Sequence, residues 1–141
     1  MILLDTNVLS GLMRPRPDPN VVRWLDAWPE WDVWISAVTV AEIRLGISIL
    51  PAGKRKELLM SLAEQMFQDD FPGRCLPFDC EAAGEYALIV SERNRQSHPI
   101  SVEDAQIAAI ARTADLALAT RNTKDFSDIT GLKLVDPWTN S

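Results

Sequence analysis

Short apolar runs alternate with amphipathic stretches along the 141-residue chain. Five apolar runs have the length of buried strands, and they occupy residues 1–4, 33–36, 75–78, 116–119 and 132–135. Six stretches have apolar residues at helical spacing, and they occupy residues 6–13, 21–28, 39–50, 54–68, 81–95 and 101–114. Strands that alternate with helices predict an α/β fold, with a central parallel sheet of about four to five strands flanked by helices.

Breaker residues separate these elements without dividing the chain. Residues 14–19 contain three prolines and are predicted to form a loop, as are residues 120–125. The chain has no internal repeat and no linker rich in glycine or serine. We therefore expect one domain over residues 1–141.

Oxygen-bearing side chains lie next to the predicted strands. Asp5 ends the first strand, and Glu42 lies early in the helix that follows the second strand. Asp104 lies in the first turn of the helix before the fourth strand, and Asn122 follows that strand. The carboxyl ends of parallel strands meet at one edge of a sheet, where functional residues gather. Clustered carboxylates repel one another, so this pattern favours a hard divalent cation such as Mg²⁺ or Mn²⁺.

The same acids have a purely structural interpretation, which spacing alone leaves open. Thr39 to Glu42 and Ser101 to Asp104 both fit a capping box, in which the acid satisfies backbone N–H groups at a helix start. Asp5 also fits the N-cap of the helix that follows it.

Composition limits the chemistry that the chain can perform. With 14 Lys and Arg against 20 Asp and Glu, the net charge is −6 and the pI is near 4.7. This balance argues against indiscriminate coating of nucleic acid, but not against a nuclease, whose active site is itself acidic. His98 is the only histidine, which disfavours a Ser-His-Asp triad and excludes a His-rich metal site. No glycine-rich phosphate loop is present, so a nucleotide-binding loop is excluded as well.

The location of the protein is expected to be cytoplasmic. The sequence contains no signal peptide and no apolar run of membrane-spanning length, so we expect no association with a membrane. Cys75 and Cys80 are separated by four residues, a spacing that fits neither a redox pair nor a zinc site, and we interpret both as reduced thiols.

Basic and aromatic residues add two hypotheses. Arg121 and Lys124 flank Asn122 and are candidates for contacts to RNA phosphates, whereas the other basic residues, Arg93 among them, are predicted to lie on solvated surfaces. Four tryptophans lie within residues 24–34, and packing in the core or at an interface is favoured over stacking on bases. Trp24 and Trp28 share one predicted helical face.

Four segments together resemble the PIN-domain VapC toxin family, particularly its FitB-like branch. They are MILLDTNVLS at residues 1–10, TVAEIRLG at 39–46, SVEDAQIAA at 101–109 and ATRNTKDF at 119–126. The resemblance implies a single PIN-like domain and a Mg²⁺-dependent ribonuclease that is the toxin of a type II toxin–antitoxin pair.

The resemblance also assigns roles to particular residues. The acidic residues that hold the metal map onto Asp5, Glu42 and Asp104. A fourth polar position, often an aspartate in the family, is Asn122 here, which brings no charge and would hold a second metal less tightly. Asp125 is a nearby acid, which either compensates in part or only caps a turn. Thr6 and Asn7 are expected to orient Asp5 or the water around the metal.

Partners follow from the same resemblance and from the charge. We expect an RNA substrate, a homodimer, and an antitoxin whose C-terminal segment places an Arg or Lys among the acids, with DNA contacted only through that antitoxin. The alternative is a PIN-fold binding module whose main role is to hold an antitoxin that binds operator DNA. A phosphotransfer receiver is disfavoured, because the first strand ends in a single acid and no acceptor aspartate ends the third.

Overall fold

Five parallel strands form one central sheet in the computed structural model, which describes residues 1–139. They are β1 (Ile2–Leu4), β2 (Val33–Ser36), β3 (Cys75–Leu76), β4 (Ala117–Ala119) and β5 (Leu134–Val135), in the order β3-β2-β1-β4-β5. Strand β1 is central and pairs with both β2 and β4. The strand order changes direction between β1 and β4, which is the position where α/β folds bind ligands. The predicted parallel sheet is confirmed; residues 140 and 141 of the expected domain lie outside the described residues.

Six α-helices connect and cover these strands within residues 1–139. They are α1 (Thr6–Leu12), α2 (Pro19–Asp26), α3 (Ala37–Ser48), α4 (Lys54–Asp69), α5 (Cys80–Arg95) and α6 (Val102–Thr113). Short 3₁₀ turns occupy Glu30–Asp32 and Thr123–Phe126. The second of these turns lies mostly in the predicted loop 120–125, where a single turn is too short to produce a periodic pattern.

Two helix starts differ by two residues from the sequence prediction, and those of α5 and α6 differ by one. Helix α2 begins at Pro19, inside the predicted loop, because proline suits the first position of a helix and the Asp18 side chain accepts the Asn20 N–H at 2.8 Å. Helix α3 begins at Ala37, because Ser36 rather than Thr39 is its N-cap. The Ser36 hydroxyl accepts the Thr39 N–H at 3.1 Å.

The sheet is buried on both faces, as predicted. Ile2 and Leu4 belong to the apolar cluster formed with helices α1 to α4, whereas Leu3 belongs to the opposite cluster with helices α5 and α6. All three side chains are completely buried. A strand covered on both faces needs apolar residues at every position, which explains the uninterrupted apolar start of the chain.

The tryptophans divide between the core and the surface. Trp24 and Trp28 pack partly buried against the first cluster with ring centroids 6.1 Å apart, as predicted for core or interface packing, but Trp28 lies beyond the end of α2 rather than on its face. Trp34 packs against the second cluster, but Trp31 is exposed.

Cys75 and Cys80 are free thiols, as predicted. In the described part of the chain, no helix combines the length and apolarity needed to cross a bilayer.

Candidate active site

Asp5 lies at the carboxyl end of the central strand and is only 4% exposed. Its carboxylate accepts the Thr6 N–H at 2.8 Å and the Thr120 hydroxyl at 2.8 Å, and its own N–H donates to the Ala119 carbonyl at 2.9 Å. Asp5 is also the N-cap of α1, so the capping interpretation is correct for this residue. Thr6 binds one carboxylate oxygen through its backbone N–H, and Thr120 binds the other through its hydroxyl.

Glu42 lies in the second turn of α3 and does not cap that helix. Its carboxylate instead accepts the Thr6 hydroxyl at 2.7 Å, and that hydroxyl lies 3.0 Å from the Thr39 hydroxyl. The capping-box interpretation of residues 39–42 is therefore wrong, because α3 starts two residues earlier than its apolar pattern indicates. Thr6 contacts both Asp5 and Glu42 and joins the two acids.

Asp104 lies in the first turn of α6, where the Ser101 hydroxyl accepts its backbone N–H at 3.2 Å. Half of the predicted capping box is therefore present, with Ser101 as the N-cap. The Asp104 side chain is partly buried.

Burial and mutual repulsion make two of these acids hard to ionise. Burial raises the pKa of Asp5 from 3.8 to about 6, the charges of Asp104 and Glu42 add to the increase, and the bonds from Thr120 and Thr6 oppose it. Burial also raises the pKa of Asp104, and the charges of Asp125, Glu42 and Glu103 act in the same direction. Asp5, Glu42 and Asp104 therefore share one electrostatic environment, and a bound cation would relieve it.

Thr120 is a residue of this site that the sequence prediction missed. It is completely buried directly after β4, donates its hydroxyl to Asp5, and accepts hydrogen bonds from the Asn7 amide at 3.3 Å and the Asn122 N–H at 3.0 Å. Its position at the end of a strand that pairs with β1 could have identified it from the sequence. The strand-end rule, that functional residues gather at the carboxyl ends of parallel strands, applies to hydroxyls as well as to acids.

Asn122 and Asp125 lie on the exposed side of the same edge. Asn122 precedes the Thr123–Phe126 turn, and its side chain makes no capping hydrogen bond there. Asp125 does not cap this turn but lies within it, and its charge acts on Asp104. Arg121 and Lys124 are exposed beside them, and the Arg121 N–H donates to Asn7 Oδ1 at 3.3 Å.

The donor set fits a hard divalent cation in chemistry but not in its present side-chain positions. Among residues 1–139, no three acidic, His or Cys side chains come together as one metal-binding group. Asp5 and Glu42 each bind a hydroxyl instead. Carboxylates are the donors that Mg²⁺ and Mn²⁺ prefer, and those of Asp5, Glu42 and Asp104 act on one another through their charges.

Arg93 is buried, so the prediction that it lies on a solvated surface is wrong. Its side chain is only 1% exposed, and its guanidinium donates to the carbonyls of His98, Asp125 and Ser127 at 2.7 to 3.1 Å. These bonds connect the segment before α6 to the turn that carries Asp125. Regular polar spacing on a helix does not distinguish an exposed arginine from one that enters the space between loops.

Comparisons with known proteins agree with this geometry. The PIN domain model matches residues 2–132. Toxin FitB of Neisseria gonorrhoeae is 44% identical over 98% of this chain and 99% of its own length, and VapC ribonuclease Y4jK of Sinorhizobium fredii is 38% identical over 98% of each. The solved structure of FitAB bound to an IR36 DNA fragment has a TM-score of 0.90 and 42% identity, covering 100% of this chain and 98% of that one.

The fold and the acidic strand edge define a PIN domain. The chain belongs to the PIN-domain family, in the branch that contains the FitB and VapC proteins. The resemblance inferred from the four sequence segments is thereby confirmed, as is the single PIN-like α/β fold.

Proposed function

We propose that this protein is a Mg²⁺-dependent endoribonuclease and the toxin of a type II toxin–antitoxin pair. The observation that carries the proposal is the carboxylate of Asp5, which is buried at the carboxyl end of the central strand and joined to Glu42 through Thr6. A cluster of this kind is costly without a cation. Relatives named VapC ribonuclease and toxin FitB support the same activity.

The proposed metal ligands are Asp5, Glu42 and Asp104. When bound by these carboxylates, Mg²⁺, or Mn²⁺ in its place, would acidify a water and neutralise charge on the phosphodiester. Thr120 and Thr6 hold the two oxygens of Asp5, and the Thr6 hydroxyl also orients Glu42. Asn122 adds a neutral oxygen donor, and Asn7 orients the segment that carries Thr120 and Arg121.

Cleavage of RNA by the purified protein tests this function. We expect cleavage of single-stranded RNA in Mg²⁺, its loss in EDTA, and its recovery when excess Mn²⁺ is added. Asp104→Asn should remove the activity. Asp115→Asn is the matched control, because Asp115 is exposed and has a positive φ of 57°, which asparagine tolerates well. Cleavage that persists in EDTA, or that survives in Asp104→Asn, would contradict the assignment.

A large groove supports the second part of the proposal, an antitoxin partner. An open groove of about 1320 Å³ is lined mainly by apolar side chains from α1 to α4 and includes Glu42. Leu58 and Leu62 on α4 line it and remain 60% and 40% exposed. We propose that an amphipathic helix of the antitoxin lies in this groove and continues into a basic segment that reaches the acids. Because the site would then be covered, added Mg²⁺ should not restore full cleavage in the complex.

Paired leucine variants test the groove. Leu58→Asp should prevent complex formation with the cognate antitoxin. Leu88→Asp is the matched control, because Leu88 is 61% exposed on α5 and does not line the groove. Complexes that survive Leu58→Asp, or that retain full cleavage, would argue for another docking surface. If the complex forms but the isolated protein never cleaves RNA, the binding-module alternative is favoured.

A homodimer is the remaining expectation. The packing of Trp24 and Trp28 against the core removes one reason for it, but Leu45 on α3, Ile49 directly after α3 and Met60 on α4 are exposed outside the groove. Exposed apolar surface on a small protein is often covered in an interface. Light scattering should give about twice the 15.7 kDa of one chain, and a mass of one chain would contradict the dimer.

A further inference from the structure

Three arginines lie over aromatic rings, and one of them has no acidic partner. The pairs are Arg44 over Phe67 at 5.4 Å, Arg74 over Phe71 at 5.5 Å and Arg121 over Trp138 at 5.0 Å from guanidinium carbon to ring centroid. Glu64 lies 2.5 Å from the first guanidinium and Glu30 lies 3.7 Å from the second. Within residues 1–139, no carboxylate lies within 4.0 Å of Arg121.

The Arg121–Trp138 pair is attached to the framework at both ends. The Trp138 ring lies over Gly11 of α1, where a Cβ atom would be 3.4 Å from the ring, and the Trp138 N–H donates to Asp136 Oδ1 at 2.9 Å. The Arg121 backbone N–H donates to Asn7 Oδ1. The residue before Arg121 is Thr120, whose hydroxyl holds Asp5. The backbone of Arg121 is therefore hydrogen-bonded to the acidic edge, and its guanidinium extends from this edge to lie over the Trp138 ring.

We propose that Arg121 binds a phosphate of the RNA strand beside the acidic site and that Trp138 is a positioning residue for it. This inference rests on the proposed ribonuclease function. A guanidinium stacked on a ring keeps its edge N–H groups free, and their planar arrangement matches two phosphate oxygens. The cation also offsets the repulsion between RNA and the acids. The stack orders the arginine side chain before RNA arrives, so less rotamer freedom is lost on binding.

Lys124 offers a useful contrast on the same edge. It is exposed, and no aromatic ring holds it in the described part of the chain. A lysine of this kind acts as a mobile point charge, whereas Arg121 presents a fixed and directional one. We therefore assign the phosphate contact with defined geometry to Arg121.

Steady-state kinetics on a short labelled single-stranded RNA in Mg²⁺ tests the contact. Arg121→Ala should raise KM by about tenfold, the loss of one charge-assisted contact, and leave kcat nearly unchanged. The slope of log KM against log salt should decrease by about 0.7, the value for one phosphate on a single strand. Arg44→Ala is the matched control, because Arg44 is also stacked and exposed but is neutralised by Glu64; it should change neither quantity.

Variants of the ring test the positioning role. Trp138→Leu keeps an apolar cover over Gly11 but removes the stack, so KM should rise as in Arg121→Ala. Trp138→Phe should rescue most of this loss. In the Arg121→Ala background, Trp138→Leu should have no further effect on KM, because the two residues act as a unit. Circular dichroism and thermal melting of each variant report whether the fold is retained.

The outcomes separate this inference from the function on which it rests. An active wild-type enzyme with an unchanged KM and salt slope in Arg121→Ala overturns the phosphate contact alone. A decrease confined to kcat also overturns it, since Arg121 would then act on Asp5 or Asn7 rather than on RNA. A folded Trp138→Leu variant with wild-type KM overturns the positioning role. A wild-type protein that cleaves no RNA removes both proposals.

Discussion

The two halves of the acidic edge are built differently. In the inner half, Asp5 and Glu42 are tied together through Thr6, and Asp5 is almost completely buried. In the outer half, Asp125 is exposed on a short turn and Asn122 is exposed directly before that turn. The inner half therefore holds carboxylates in fixed positions where burial and mutual repulsion disfavour their ionisation, and a bound cation would stabilise them. The outer half has fewer fixed side chains and faces solvent, where RNA must approach.

Removal of the inner carboxylate should have the largest effect. We expect Asp5→Asn to lower the rate of RNA cleavage by about a hundredfold or more, because a ligand of the proposed metal is lost and with it the positive charge that stabilises the transition state. Its affinity for Mn²⁺, measured by calorimetry, should also fall. Asp79→Asn is the control, because Asp79 likewise caps a helix, accepting the Ala82 N–H at 2.9 Å at the start of α5, but is itself exposed. Undiminished Mn²⁺ affinity in Asp5→Asn would show that the metal is held elsewhere.

The pH dependence of the free energy of unfolding tests the raised pKa of Asp5 in the inner half. Because the pKa of Asp5 is raised from 3.8 to about 6, the folded state binds a proton more tightly than the unfolded chain. The free energy of unfolding of the metal-free protein should therefore fall as the pH rises from about 4 to about 6, by about 3 kcal/mol from this group. Denaturation in EDTA should show Asp5→Asn gaining stability relative to wild type over this window, and Mg²⁺ should restore the wild type. A constant difference between the two proteins across the window would contradict the raised pKa.

Loss of the Thr120 hydroxyl should weaken the inner half without altering its charge. Thr120→Val leaves the buried Asp5 carboxylate without one of its two donors, and we expect a loss of about 1–3 kcal/mol in the free energy of unfolding near neutral pH. The pKa of Asp5 should rise further, because the Thr120 bond opposes the increase. Thr113→Val provides the comparison, since the buried Thr113 hydroxyl has no hydrogen-bond partner among the described residues. Equal stability losses in the two variants would mean that the Thr120 bond to Asp5 contributes little.

A charge added to the outer half should have the smallest effect. Asn122→Asp places a carboxylate on the exposed edge and should tighten binding of a second cation without abolishing cleavage. Asn94→Asp adds the same charge on an exposed position of α5 and should leave metal binding unchanged. Identical Mn²⁺ titrations of rate and stoichiometry in the wild type and Asn122→Asp would exclude position 122 from the site.

The sequence by itself determined the strands, the helices and the edge at which polar residues gather. Buried strands such as β1 need apolar residues at every position, and helices α4 to α6 need them at helical spacing. Both patterns can therefore be recognised from residues that are close together in the sequence. The strand-end rule then selected Asp5 and Asn122. Errors of one or two residues occurred at helix starts, where a single capping bond, such as that of Ser36 to the Thr39 N–H, outweighs the apolar pattern.

Only the tertiary structure decided which polar groups meet. The Thr6–Glu42 bond joins residues 36 apart in sequence, and the Thr120–Asp5 bond joins residues 115 apart. The burial of Arg93 depends on carbonyls from two loops, and the stack of Arg121 on Trp138 depends on a helix that lies over a hundred positions earlier in the chain, at Gly11. Local patterns report the hydrogen bonds and burial of neighbouring residues. Contacts of this kind form only when the parallel sheet brings β1 beside β2 and β4, which places distant side chains at one edge.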